Sequence, residues 1–392
     1  MEDNPRSLME FEARFSTEES CRDYLCQMRW PDGFRCPRCK MLRVTGYGLK
    51  VKNKALSFIC LLLVSTLFFL ISSPSIVLSQ IAGGQFFRHS RIIMGTSVEI
   101  VVSQAQPAKA EEAMEAAFQE VERVNFLMSN YRSDSEVSQI TRYAGEKGIR
   151  VSPETLEIIE RSLYFSRLSA GAFDITIGPV FRLWNFREGK FPDDRSLKEN
   201  LKKVDYRKLK VDRARSSVFL EDRGMALDLG AIGKGYAVDR ACEALLRKGM
   251  ENFLVNAGGH IKSHGHKDPE VPWVIGIQHP RLPSGSIAKL RPRQAAVVTS
   301  GDYEKFFLKK GARYHHLLNP ATGMPARECQ SVTILAPSAM VADALATTVF
   351  VLGPPKGFTL IEKFPAVHAV IVDRKGSVLL SPQWPEGVLL PP

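Results

Sequence analysis

Cysteine is scarce over most of this chain. Seven occur in 392 residues, and four of them, Cys21, Cys26, Cys36 and Cys39, fall in the first forty. Cys60 lies in an apolar run, which leaves Cys242 and Cys329 for the long C-terminal part. That count excludes a disulfide-stapled scaffold but not a single bridge between those two. Several motifs are also missing: the phosphate loop G-x-x-x-x-G-K-[ST], the dinucleotide fingerprint G-x-G-x-x-G and the nucleophile elbow G-x-S-x-G. No internal repeat or low-complexity tract occurs. Dense basic runs are absent too, although the net charge is +11. Residues up to Lys54 carry +3 and the remainder +8, spread thinly. Such a surface tolerates anionic ligands without marking nucleic acid as a partner. With 44% apolar and 24% charged residues, wholesale disorder is excluded, and the length suffices for one large domain or two ordinary ones.

Three unequal pieces are present. In residues 1–40, Cys36-Pro37-Arg38-Cys39 has the spacing by which two thiolates take two corners of a zinc tetrahedron. No second pair follows at ribbon spacing, and Cys21 and Cys26 are a poor match. Residues 41–80 place Lys50, Lys52 and Lys54 before an apolar run at 55–71, then Ser72-Ser73-Pro74 and small residues. This describes a secretory signal peptide, or an uncleaved membrane anchor, and implies a periplasmic or otherwise extracytoplasmic location for the C-terminal part of the chain. Cys60, in mid-run, does not suit a lipid anchor.

Residues 85–392 alternate helix and strand signals. A β-rich run at 92–102 precedes an amphipathic helix marked by Met114, Phe118, Val121, Val124 and Met128. Short β runs recur at 273–277, 332–335 and 369–372, the last followed by an Asp373-Arg374-Lys375-Gly376 turn. The pattern predicts an α+β fold, with mixed or antiparallel sheets and packed helices in a single large domain, rather than a doubly wound sheet.

Two segments carry the strongest chemical signals. In Asp228-Leu229-Gly230-Ala231-Ile232-Gly233-Lys234-Gly235-Tyr236, a β run is expected to end at Asp228 and a helix to begin near Tyr236. The intervening glycines permit close ligand approach, N–H groups at a helix start can receive phosphate oxygens, and Lys234 adds a point charge. A plain helix-capping turn accounts for this segment equally well. In 338–348, Ser338 caps a helix that Gly353 closes, and Asp343 and Thr347 share one face a turn apart. A hard oxygen pair among small apolar neighbours suits magnesium. Alternatively, Asp343 bonds neighbouring backbone and Thr347 its own helix. His260, His264 and His266 lack a matching carboxylate or cysteine for zinc.

Taken in order, these segments resemble the ApbE family, the FAD:protein FMN transferases. The resemblance rests on Met94-Gly95-Thr96, Ser129-Asn130-Tyr131-Arg132 with Ser135-Glu136, Gly171-Ala172-Phe173-Asp174 and Asp228-Leu229-Gly230-Ala231. It continues through Asn256-Ala257-Gly258-Gly259, Ser300-Gly301-Asp302-Tyr303, His316 with Asn319-Pro320, and Ala342-Asp343-Ala344-Leu345. It implies an FAD site at Met94, Tyr131, Ala172, Phe173, Asp174, Asp228, Lys234, His316 and Leu317. It implies a magnesium site at Asp343, Thr347 and the Ala231 carbonyl. The implied reaction transfers FMN from FAD to a Thr or Ser hydroxyl of an acceptor protein, a redox subunit of a membrane electron-transport complex, and releases AMP. His316 and Asp302 are candidate bases by residue type. Asn319 and Ala321 stand where many members have Asp and Arg. Rival expectations are an FAD pyrophosphatase, with water replacing the protein hydroxyl, and a periplasmic flavin-binding protein. Residues 1–40 resemble the first half of a transposase zinc ribbon, which reads as a truncated segment or misassigned start; no nucleic-acid partner is expected.

Overall fold

The computed structural model describes residues 86–392, apart from Pro283, Arg293, Val388, Pro391 and Pro392, together with a short antiparallel pair, Phe34–Arg35 with Arg43–Val44. The chain divides into two compact units, Met1–Ile81 and Ala82–Pro392. The Cys36–Cys39 pair and the lysine-led apolar run lie outside the described residues. Among the described residues, no helix is long and apolar enough to cross a membrane.

The second unit is built on an eight-stranded sheet in which every neighbour pair is antiparallel. Its strands, labelled in chain order, are β1 Phe86–Ile93, β2 Thr96–Ser103, β3 Phe253–Ala257, β4 His260–His264, β5 Ala296–Gly301, β6 Cys329–Ala336, β7 His368–Asp373 and β8 Val378–Leu380. Their spatial order is their chain order, so the sheet is a meander carrying helical and looped excursions. This is the α+β arrangement that the alternating signals predict. The β-rich run at 92–102 is broken by a two-residue turn, Met94-Gly95, with φ of 56° and 69°. Two positive φ values match the right-handed twist of a hairpin. Glycine adopts such a conformation freely, whereas Met94 does so at a steric cost.

The helices that bear on the site are α1 Pro107–Met128, α2 Glu136–Arg142, α3 Pro153–Leu168, α4 Gly233–Arg247, α5 Ala339–Leu352 and α6 Pro354–Ile361. In α1 the buried positions step by three and four from Ala110 to Met128, one apolar stripe against the core. Helix α5 is buried almost all round. The Ser338 side chain accepts from the Val341 N–H, and Gly353 ends the helix at φ 78°. The start of α5 is also held from outside. Asp239 of α4 accepts from Ser338 Oγ (2.7 Å) and from the backbone N–H groups of Ala339 (3.0 Å) and Met340 (2.9 Å).

Both faces of the sheet centre are covered. Val298, Ile334 and Ile371 join the main core with the helices, while Val297, Leu335 and Val370 pack with Ile275, Ile277, Ala288 and Leu290 of a separate hairpin. Successive residues of one strand thus both meet apolar partners, which is why these strands read as continuous apolar runs. A third small cluster joins Val180, Trp184 and Leu318 with Phe186, Phe191, Phe307 and Tyr314.

Candidate functional site

The site is assembled where the first turn of α4 meets α5. Gly235 adopts helical backbone, and a side chain there would collide with the Ala339 carbonyl. Its N–H donates to Asp343 Oδ2 at 2.9 Å. The helix begins at Gly233, three residues before the expected Tyr236, and the close approach of α5 requires a glycine at 235, inside the first turn rather than ahead of it. Upstream, Ala226–Asp228 is not a ladder strand. Ala226 makes an isolated parallel bridge to Ile177, and the Asp228 N–H donates to the Ile175 carbonyl (2.7 Å).

The turn's own N–H groups are mostly spent inside the protein. Ile232 and Gly233 donate to the Leu229 carbonyl, Gly230 donates to Asp228 Oδ1, and Gly235 donates to Asp343. Those four N–H groups are thus not open to a phosphate. The turn closes on itself, leaving the half-buried Lys234 as the segment's anion-directed group. Lys234 acts electrostatically on Asp228, Asp343 and His316 alike.

Asp343 is 2% exposed. Burial pushes its carboxyl up, but the His260 imidazole, Lys234 and the Gly235 N–H outweigh that and hold it below the usual range. Thr347, one turn on, has Oγ1 3.2 Å from Ser300 Oγ at the end of β5. Asp302, two residues further, is buried and gripped by a guanidinium fork, with Arg281 nitrogens 2.7 Å from each oxygen. His316 differs. Its Nδ1 is buried without a hydrogen-bond partner, and burial, with Lys234 and Lys305 nearby, pushes the imidazole down to about 3. Neighbouring His315 is pushed down to about 4, mainly by burial, and its Nε2 lies 2.8 Å from the Ala326 carbonyl. The backbone N–H of Leu317 donates to His315 Nδ1.

On the flank, Met94 reaches toward Gly233. Tyr131 is 88% exposed, beside an Asn130 whose amide donates to Asp228 Oδ2 (2.7 Å). Burial raises the Asp228 carboxyl against these donors. Met94, Tyr131, Asp228, Lys234, His316, Asp343 and Thr347 thus belong to one region. Phe173 and Asp174 lie behind it. Phe173 is in the core against Phe165. Asp174 spends its carboxylate on the Thr176 N–H and hydroxyl and on the Tyr206 N–H, bracing the segment to which Asp228 is tied. Ala172 is half-buried beside them. Asn319 Oδ1 accepts from the Ala321 N–H, the bond an Asp would accept, so the Asn-Pro turn forms despite the departure there.

Sequence reasoning overlooked His260 as a partner of Asp343, Arg281 as the clamp on Asp302, and Asn130 as the support of Asp228. Of these, Asn130 alone falls within a segment that carries the family resemblance. The three histidines at 260, 264 and 266 do not converge: His260 faces Asp343 and His264 the Glu251 carbonyl. Among the described residues, no group of three or more His, Cys, Asp or Glu side chains is arranged to hold a metal.

The ApbE family model matches residues 94–371, and the chain belongs to the ApbE family. The transposase zinc-ribbon domain model matches residues 16–50. Among relatives, the FAD:protein FMN transferase of Treponema pallidum is 34% identical over 304 residues, covering 73% of this chain and 84% of its own length. That of Vibrio cholerae is 33% identical over 289 residues, covering 71% and 86%. The crystal structure of the ApbE protein from Thermotoga maritima matches with a TM-score of 0.70 at 36% identity, covering 76% of this chain and 97% of that one. The flavin transferase ApbE from Vibrio cholerae matches with 0.69 at 30% identity, covering 76% and 97%.

Proposed function

We propose that the chain is an FAD:protein FMN transferase that moves FMN from FAD to a Thr or Ser hydroxyl of an acceptor protein, with release of AMP and dependence on magnesium. The observation that carries this reading is the meeting of Lys234, Asp343 and Thr347 at the α4–α5 contact, within a chain whose relatives bear that name. The acceptor hydroxyl attacks the phosphorus of the FMN half, the bond to the bridging oxygen breaks, and AMP departs with that oxygen. Chemistry of this kind depends on positioning and charge stabilisation. Lys234 offers a cation to the pyrophosphate. His316, with a neutral and unpartnered ring nitrogen, is the better candidate to receive the hydroxyl proton. Asp302 serves better as a fixed charge holding Arg281.

Magnesium suits the chemistry of the donors. Asp343 stays ionised while buried, its two hydrogen bonds leave lone pairs on both oxygens, and the Thr347 hydroxyl lies one turn along the same helix. The Ala231 carbonyl is the third oxygen that the family resemblance implies. When bound there, magnesium would supply charge neutralisation at the pyrophosphate. Flavin is substrate here, so no redox turnover belongs to this site. The lysine-led apolar run at 55–71 supports a periplasmic or extracytoplasmic setting, and the acceptor is proposed to be a membrane electron-transport subunit.

The test incubates the chain with FAD, Mg²⁺ and a flavin-acceptor protein and reads intact mass. A gain corresponding to FMN that Asp343→Ala abolishes supports the reading. AMP and free FMN without an adduct would turn it toward pyrophosphatase, and intact bound FAD toward a carrier.

A further inference from the structure

His260 opens β4 directly after the Gly258-Gly259 turn, and its side chain is 6% exposed. Nε2 lies 2.9 Å from Asp343 Oδ1, while the Gly235 N–H meets Oδ2 at 2.9 Å. Each carboxylate oxygen thus has one nitrogen partner, from two different elements, and the carboxylate is fixed at both ends. A carboxylate has about four lone-pair positions, so each oxygen keeps one open.

Two observations separate this contact from ordinary packing. His260 Nδ1 is buried with no hydrogen-bond partner. An apolar residue would fill the space without that penalty, so the ring's presence points to what Nε2 does. Helix α5, moreover, does not need His260 to dock. Lys262, on the same face of β4, contacts Asp239 Oδ1 at 2.6 Å, and Asp239 holds the first residues of α5 through three donors. The strand therefore supports the anchorage of α5 through Asp239 of α4, and separately meets its carboxylate through His260.

We propose that His260 is a positioning residue for the magnesium site: it donates from Nε2 to Asp343 Oδ1 and orients that carboxylate toward a hard divalent cation. The inference rests on the reading of Asp343 as a magnesium ligand. Partners of this kind typically change metal affinity about 10–100-fold when removed.

The experiment titrates the full chain, with FAD bound and no acceptor, with Mn²⁺ as the probe, following the electron paramagnetic resonance signal of the free ion. His260→Ala is expected to weaken Mn²⁺ binding about 10–100-fold. His260→Gln, whose amide can donate to the same oxygen, is expected to recover most of that loss. Urea unfolding of the metal-free variants checks that each is folded, and His260→Gln keeps the question decidable if His260→Ala is not. Wild-type affinity in folded His260→Ala would overturn the proposal, as would a folded His260→Gln that recovers nothing. Asp343→Asn separates the two layers. If it loses Mn²⁺ while His260→Ala does not, only the role of His260 fails. If Asp343→Asn binds like wild type, the magnesium reading fails and this inference with it.

Discussion

Replacing Gly235 with alanine sets two effects of opposite sign against each other. Gly235 lies in the first turn of α4 with no left-handed φ, so intrinsic helix propensity favours alanine by about 1 kcal/mol. The added methyl, however, would press into the Ala339 carbonyl oxygen and lie 2.6 Å from its carbon and 2.7 Å from Asp343 Cβ. Backbone cannot swing aside as a flexible side chain does, so relief comes by moving α4 away from α5, at about 1–3 kcal/mol. That movement stretches the 2.9 Å bond from the Gly235 N–H to Asp343, a charged-acceptor bond worth about 1.5–3 kcal/mol. The expected net loss is about 2–5 kcal/mol, with FMN transfer falling as Asp343 loses its alignment. Urea unfolding followed by circular dichroism measures the first effect, and intact-mass flavinylation the second. Gly276→Ala is the control: its Cβ would meet nothing nearer than Ser286 Oγ at 3.9 Å, and a change within about 0.5 kcal/mol is expected. A Gly235→Ala protein as stable as wild type, or more so, would refute the close-approach argument and leave helix propensity as the dominant effect.

Lys234→Ala should weaken FAD binding about 10–150-fold, the equivalent of one charge-assisted contact, in a flavin-fluorescence titration; unchanged affinity would remove Lys234 from the phosphate site. Asp239→Ala strips the partners from Ser338 Oγ, two helix-start N–H groups and Lys262. It should cost about 2–4 kcal/mol and speed hydrogen exchange in the first turn of α5, and slow exchange there would show that Ser338 caps the helix alone. His315 should make the fold acid-sensitive. Its folded value is about 4 against 6.5 for the unfolded chain, so below pH 6.5 the unfolded chain takes up a proton that the folded one refuses. Stability is then fully present above pH 6.5 and lost toward pH 4, by about 2–3 kcal/mol from this group. Denaturation curves at pH 7 and 4.5 should show a smaller acid loss in His315→Gln, and an equal loss would assign the effect elsewhere.

Features written in short stretches of chain are legible from the sequence. Ser338 and Gly353 bound α5 as their residue types predict, and the three- and four-residue spacing in α1 names its buried face. Asp343 and Thr347 need only helical periodicity to be placed together. Boundaries that depend on a distant neighbour are not legible in this way. Helix α4 starts three residues earlier than expected because glycines normally punctuate helices, whereas Gly235 sits inside one to admit α5. The same cause takes the Gly235 N–H out of the expected amide cradle, since it is committed to a carboxylate 108 positions away.

By itself the sequence determined the caps of α5 and the buried face of α1, because caps, turns and periodicity act over a few residues. Only the tertiary structure decided what each reactive group faces. The register of β4 beside β5 brings His260 to Asp343, 83 positions apart. A guanidinium from a separate loop occupies Asp302, while His316 is left with an unpartnered nitrogen. These pairings follow from sheet register and helix packing, which join residues far apart in the chain, and no one-dimensional pattern records them.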